Sequence, residues 1–173
     1  MVMITMVRIG RRGSFSETAG SRPWISLSVP AGQPTRSWCQ TRWMVLELVT
    51  IVVEDYDPAI EFFVDVLGFD LVDDSPSLTN DGRSKRWVVV RPRGAETGIL
   101  LARADGEHQA AIVGNQLAGR VGFFLHVDDF DDALARMVTA GVEFVSSPRV
   151  EPYGRVVVFL DVAGNRWDLL GPA

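Results

Sequence analysis

A strand–helix–strand unit occurs twice in this chain, and the repeat restricts the folds open to it. In the first copy, Val49–Phe69, the residues Val49, Ile51 and Val53 alternate with Thr50, Val52 and Glu54, as in a strand with two unlike faces. Asp57 then suits a helix N-cap, and Pro58 suits the first helical position, where no N–H is needed. Ile60, Phe63, Val64 and Leu67 give that helix one apolar side, Gly68 is free to close it, and Phe69–Val72 begins a new extended run. The second copy is Val127–Phe144. Asp55, Tyr56, Asp57, Ala59 and Ile60 correspond to Asp129, Phe130, Asp131, Ala133 and Leu134 at an offset of about 74. Gly68-Phe69 then corresponds to Gly141-Val142, with one residue fewer in the second helix. Two copies indicate a duplicated module, since a solenoid needs three or more.

The remaining segments complete two βαβββ modules. Module one spans residues 44–104, with strands expected at Glu47–Val53, Asp70–Asp73, Trp87–Arg91 and Gly98–Arg103 and a helix at Pro58–Val66. Ser75–Lys85 contains Pro76 and Asn80-Asp81-Gly82 and reads as a loop. A polar linker, residues 105–120, is expected to hold a short helix within Ala110–Leu117. Module two spans residues 121–173, with strands at Val121–Val127, Glu143–Ser146, Arg155–Asp161 and Arg166–Leu170, a helix at Asp131–Ala140 and a turn at Pro148–Gly154. The expected class is α+β, with eight strands in an open barrel around a cleft.

Residues 1–43 differ in kind. Six Arg against one acidic residue, Glu17, give them +5, so residues 44–173 carry −10 of a total of −5. Trp24–Val29 reads as one short strand without an evident partner. Gly10, Gly13, Gly20, Pro23 and Pro30 interrupt the amphipathic helix that a transit peptide needs. The expectation is a disordered or non-native extension, with the organised part starting at Met44. An acidic module without a basic stripe is a poor nucleic-acid binder. No apolar run approaches the length of a membrane span. The single cysteine, Cys39, excludes an intrachain disulfide, and a reducing cytoplasm is the simplest location.

Val53-Glu54-Asp55 with Asp57, the Phe62-Phe63…Leu67-Gly68-Phe69 run, Val127-Asp128-Asp129, Ala140-Gly141-Val142 and the closing Phe159-Leu160-Asp161…Gly164-Asn165-Arg166-Trp167-Asp168-Leu169 resemble the vicinal oxygen chelate superfamily. That group includes glyoxalase I, extradiol dioxygenases and bleomycin-binding resistance proteins. The resemblance covers Met44 to Pro172. It implies half-barrels that face one cleft, a homodimer and, in metal-using members, one ligand on the first and fourth strand of each module. The ion there acts as a Lewis acid on two adjacent substrate oxygens. Carried over singly, the four ligand positions fall at Leu48, Leu100, Gly122 and Asp168. Only Asp168 offers a donor, and one in four does not make a stable site. No metal and no cofactor are therefore expected.

Strand alternation puts Gly122, Phe124 and His126 on one face, which the resemblance implies is the cleft face. His126 reads as a rim histidine or a pocket base. Asp168 reads as a substrate-facing carboxylate or as an ion-pair partner of Arg166, two residues away on the same face. Asp168 and His126 are the catalytic candidates. The ligand-binding cleft is expected to add Leu48, Thr50, Trp87 and Leu100, with Tyr153 and Arg155 on a neighbouring loop. Trp87 and Phe124 suit either the cleft or plain core, whereas Trp167 should pack beneath a helix. No glycine-rich phosphate cradle, paired CxxC or Ser/His/Asp arrangement stands out.

Three functions fit these residues. The first is a metal-independent protein that binds, and so sequesters or detoxifies, a small organic molecule in an apolar cleft. The second is a glyoxalase-type lyase, isomerase or epimerase that uses unrecognised metal ligands or proton transfer by Asp168 and His126. The third is a non-catalytic subunit that keeps the fold after losing the site.

Overall fold

Both copies of the repeat fold as alternating strands with one helix laid on their apolar side. The structure is a computed structural model that describes residues 44–173; the strand expected at Trp24–Val29, with the rest of residues 1–43, lies outside the described residues. Module one consists of β1 (Leu48–Val53), α1 (Tyr56–Glu61) continued by a π-helical turn at Phe62–Val66, β2 (Asp70–Leu78), β3 (Ser84–Arg91) and β4 (Gly98–Arg103). The linker carries α2 (Glu107–Ala110). Module two consists of β5 (Val121–His126), α3 (Phe130–Thr139), β6 (Arg149–Glu151), β7 (Gly154–Leu160) and β8 (Arg166–Gly171). The strand orders β1-β4-β3-β2 and β5-β8-β7-β6 are equivalent. In each sheet the first and last strands run parallel and the others antiparallel. The class is α+β, as expected, but the sheets stay separate and do not close into a barrel. No helix among the described residues is long and apolar enough to cross a membrane.

The helix starts lie one or two residues earlier than the sequence suggests. Asp55, not Asp57, caps α1, accepting from the Tyr56 N–H at 2.6 Å, and Pro58 falls inside the first turn. Asp129 caps α3 by accepting from the Asp132 N–H at 3.0 Å, so equivalent Asp residues start both helices. Both helices close on a left-handed glycine, Gly68 at φ 76° and Gly141 at φ 77°. The extra residue of the first copy is absorbed by the π-helical turn, in which the Leu67 N–H reaches back to the Phe62 carbonyl at 3.1 Å. From module two, Arg136 Nε donates to the Val66 carbonyl at 3.2 Å, placing a cation at the C-terminal end of that helix.

Three segments depart from expectation. Strands β2 and β3 extend through much of the expected Ser75–Lys85 loop and turn only around Thr79–Gly82. Pro76 is tolerated because β2 is an edge strand and its missing N–H breaks no ladder. In module two, Glu143–Ser146 forms only a bridge between Phe144 and Phe159. The Ser146 hydroxyl, not its carbonyl, accepts from the Val158 N–H at 3.2 Å, and pairing resumes at Arg149–Glu151, inside the expected turn. The linker helix covers Glu107–Ala110 instead of lying within Ala110–Leu117.

The helix-side faces of the two sheets share one core. Ile51, Val53, Val88, Val90, Ile99 and Leu101 come from module one, and Val157, Phe159, Trp167 and Leu169 from module two. Phe63 lies between them, with its ring 5.8 Å from that of Trp167, which in turn stacks on Phe123 at 4.4 Å. Trp167 is thus core, and its Nε1 donates to the buried Asp161 carboxylate at 3.0 Å.

Candidate functional site

Because inward residues of both sheets meet in that core, alternation turns the remaining residues of each strand outward. On module one, the outward set includes Leu48 and Thr50 of β1, Trp87, Val89 and Arg91 of β3, and Leu100 of β4, with Thr50 beside Leu100 in register. On module two it includes Gly122, Phe124 and His126 of β5 and Arg166 and Asp168 of β8, with Phe124 beside Asp168. The cleft candidates therefore form two groups, one per sheet. A shared core between the helix sides makes these groups face away from each other within one chain. Both carry exposed aromatic surface: Phe124 is 62% exposed and Trp87 38%. A cavity of about 400 Å³ adjoins the outward face of module one, with Trp87, Leu100 and Ala102 among its walls.

Asp168 is half-buried beside Phe124 and Val158. Its Oδ1 has no hydrogen-bond partner among the described residues. Burial pushes its carboxyl above the ordinary carboxylate range, partly opposed by the nearby Arg149 guanidinium. The expected ion pair with Arg166 does not form; Arg166 is exposed. His126 sits beside Leu170 on the same outward face, one pleat beyond the Phe124–Asp168 pair, and is exposed. That diagonal separation is roughly 7–8 Å, too long for direct proton exchange without an intervening group.

Arg155 lies elsewhere. It belongs to β7, not to a loop, and shares the inward parity of Val157 and Phe159. Its guanidinium grips Asp131 of α3 at 2.7 and 2.8 Å and lies over the Phe130 ring at 4.4 Å. The expectation that it contacts cleft ligands fails because the helix takes both its charge and its flat face. Tyr153 projects from the β6–β7 turn, 68% exposed.

The family's metal does not fit these residues. Leu48, Leu100 and Gly122 provide no donor, and among the described residues no three His, Cys, Asp or Glu side chains cluster as a ligand set. The Gly122 position is also filled: a Cβ built there would lie 1.6 Å from Leu117 Cδ1. Leu117 comes from the linker, which the sequence alone did not connect to either sheet. Its neighbour Gln116 is pinned to the open edge of β1, where Oε1 accepts from the Val52 N–H at 2.9 Å and Nε2 donates to the Thr50 carbonyl at 2.8 Å. The amide thus stands in for a strand residue. A lone Gln in a polar linker gave no signal of this; only the unpaired edge of a first strand could have suggested it.

Comparison with known proteins agrees with the geometry. An uncharacterized protein from Shewanella frigidimarina (strain NCIMB 400) is 47% identical over 123 residues, 70% of this chain and 89% of that protein. The crystal structure of TnmS3, an antibiotic binding protein from Streptomyces sp. CB03234, matches with a TM-score of 0.60 and 31% identity, covering 76% of this chain and 98% of that one. A member of the glyoxalase/bleomycin resistance protein/dioxygenase superfamily from Sphaerobacter thermophilus DSM 20745 matches with a TM-score of 0.57 and 29% identity over 75% of this chain and 98% of that one. Residues 45–169 match the family model, and the chain belongs to the Glyoxalase/Bleomycin resistance protein/Dioxygenase superfamily.

Proposed function

We propose that this protein binds a small organic molecule without a metal, holding and so sequestering it between two copies of the chain. The observation that carries the reading is the pair of outward faces. They are apolar and aromatic at Leu48, Trp87, Leu100 and Phe124, yet they point away from each other within one chain. A homodimer that sets module one of one copy against module two of the other makes one cleft from two half-sites and covers the exposed aromatics. Likeness to an antibiotic binding protein at 31% identity supports a small organic ligand of the antibiotic kind.

The mechanism in this reading is binding alone. Leu48, Leu100 and Phe124 exclude water from the ligand's apolar body. Asp168 sits where a ligand hydroxyl or amine can satisfy its orphaned Oδ1. The test measures mass in solution, then melting with Ni²⁺, Zn²⁺, Mn²⁺ or Fe²⁺ and with a panel of polycyclic aromatic antibiotics. The expected result is a dimer, no metal response and a saturable rise in Tm with a ligand that is recovered unchanged. Near-stoichiometric bound metal, or turnover of the ligand, would replace this reading with the lyase or isomerase one. A stable protein partner, with no response to metal or ligand, would favour a non-catalytic subunit.

A further inference from the structure

Among the described residues, Arg91 is the one guanidinium on the outward faces whose inner nitrogen is buried and left unanswered. Its Nε is shielded from solvent and has no hydrogen-bond partner among the described residues. The cause is local. Gly98 of β4 has no side chain, and a Cβ there would meet Arg91 Nε at 3.3 Å, Val89 Cγ1 at 3.3 Å and Leu48 Cδ2 at 3.1 Å. The Arg91 side chain therefore lies across the strand at Gly98, held between Leu48 and Val89. Asp70, its cross-strand neighbour in register, pairs instead with Arg93 at 3.4 Å. Most other arginines of this acidic region are engaged: Arg83, Arg86, Arg149 and Arg155 hold carboxylates, and Arg136 holds a carbonyl. A cation fixed in place, flanked by aliphatic groups and lacking an acid is arranged to receive an anion from outside the chain.

We propose that Arg91 is the anion-receiving residue of the cleft, and that the ligand is an extended aromatic acid. This rests on the small-molecule reading above. Trp87 and Arg91 share a face of β3 four residues apart, roughly 13 Å at about 3.3 Å per residue. Leu100 lies between them, beside Val89 in register. A multi-ring body fits along Leu100 and Trp87 while a carboxylate or similar planar oxyanion reaches Arg91. A neutral ligand of the same shape gains no charge-assisted bond from the guanidinium, so it is discriminated against.

The probe pair is 1-pyrenebutyrate and its neutral carboxamide, followed by pyrene fluorescence with the full chain. The wild type should bind the acid at least about tenfold more tightly than the amide. Arg91→Met, which removes the guanidinium and keeps an aliphatic side chain, should reduce that ratio to near one, chiefly by weakening the acid. Arg91→Lys should keep part of it. A second readout is the Arg91 Nε–H resonance, which should move further on adding acid than on adding amide. Equal affinity for both probes in the wild type, undisturbed by Arg91→Met, overturns the anion assignment and leaves the small-molecule reading standing. Loss of the dimer in Arg91→Met without any acid preference overturns it too, because Arg91 then serves a partner copy's carboxylate. Failure of both probes to bind the wild type overturns the extended aromatic acid, while the small-molecule reading stands or falls on the antibiotic panel above.

Discussion

Replacing Gln116 by Ala unfastens the linker from module one, and its cost follows from two bonds. The side-chain amide accepts from the Val52 N–H at 2.9 Å and donates to the Thr50 carbonyl at 2.8 Å. Each such bond contributes about 1 kcal/mol net, so losing both costs about 2 kcal/mol. Water can reach the Thr50 carbonyl more readily than the part-buried Val52 N–H, which sets a floor of about 1 kcal/mol. For a folded region of this size the loss lowers Tm by about 3–8 °C. Urea unfolding followed by tryptophan fluorescence measures it, with the m value held as a check that compactness is unchanged. Gln116→Glu sharpens the test. It keeps the acceptor for Val52 but sets a carboxylate oxygen against the Thr50 carbonyl, so at pH 7 it should be less stable than Gln116→Ala. Its protonated form can donate to that carbonyl. The folded-state pKa is thus raised, and stability returns as the pH falls through it. A loss under about 0.5 kcal/mol in Gln116→Ala, the scatter of ordinary surface changes, would refute the pinned-edge argument.

Asp168→Asn should be more stable than the wild type at pH 7. Burial raises the folded carboxyl's pKa, so the wild-type group favours folding below the ordinary carboxylate range and loses that contribution as the pH rises; the two proteins should converge toward pH 3 in thermal melts. The opposite sign applies to Asp74 and Asp131, whose carboxyls the Arg86 and Arg155 guanidinium groups hold below their usual range. Phe63→Ala should cost about 3–5 kcal/mol in chemical denaturation, because the ring is fully buried where the modules meet. Phe124→Ala should change monomer stability by less than about 0.5 kcal/mol, and its effect should appear in ligand titrations. Gly122→Ala should destabilise by about 1 kcal/mol by displacing Leu117, and the penalty should vanish in a Leu117→Ala background, giving a clear double-mutant coupling energy.

The fold was legible where a local period decides the structure. The alternation at Val49–Val53 and the equivalent Asp55 and Asp129 signal two modules because strand and helix faces are written into neighbouring residues. The strand at Arg149–Glu151 was not legible, since its pairing depends on how Ser146 and Pro148 interrupt a ladder. The outward positions of Leu48, Leu100, Gly122 and Asp168 followed from the family resemblance, and alternation along β5 added Phe124 and His126. The place of Arg155 did not follow, because a side chain at the start of a strand can join either a loop or a helix, and only Asp131 decides. The least legible parts were Gln116, Leu117 and Arg91. Each acts on a strand distant in sequence or across a glycine, and no periodic signal marks such contacts.

The division between inward and outward residues has a consequence for how such a chain can diverge. The strand side chains that hold the modules together sit on one parity, and those offered to a ligand sit on the other. A substitution at Thr50, Trp87, Phe124 or His126 can therefore alter the molecule recognised without opening a void at Phe63 or Trp167. Descendants of one duplicated half can explore new chemistries at little risk to folding, whereas a change on the opposite parity is filtered out before binding is ever tested.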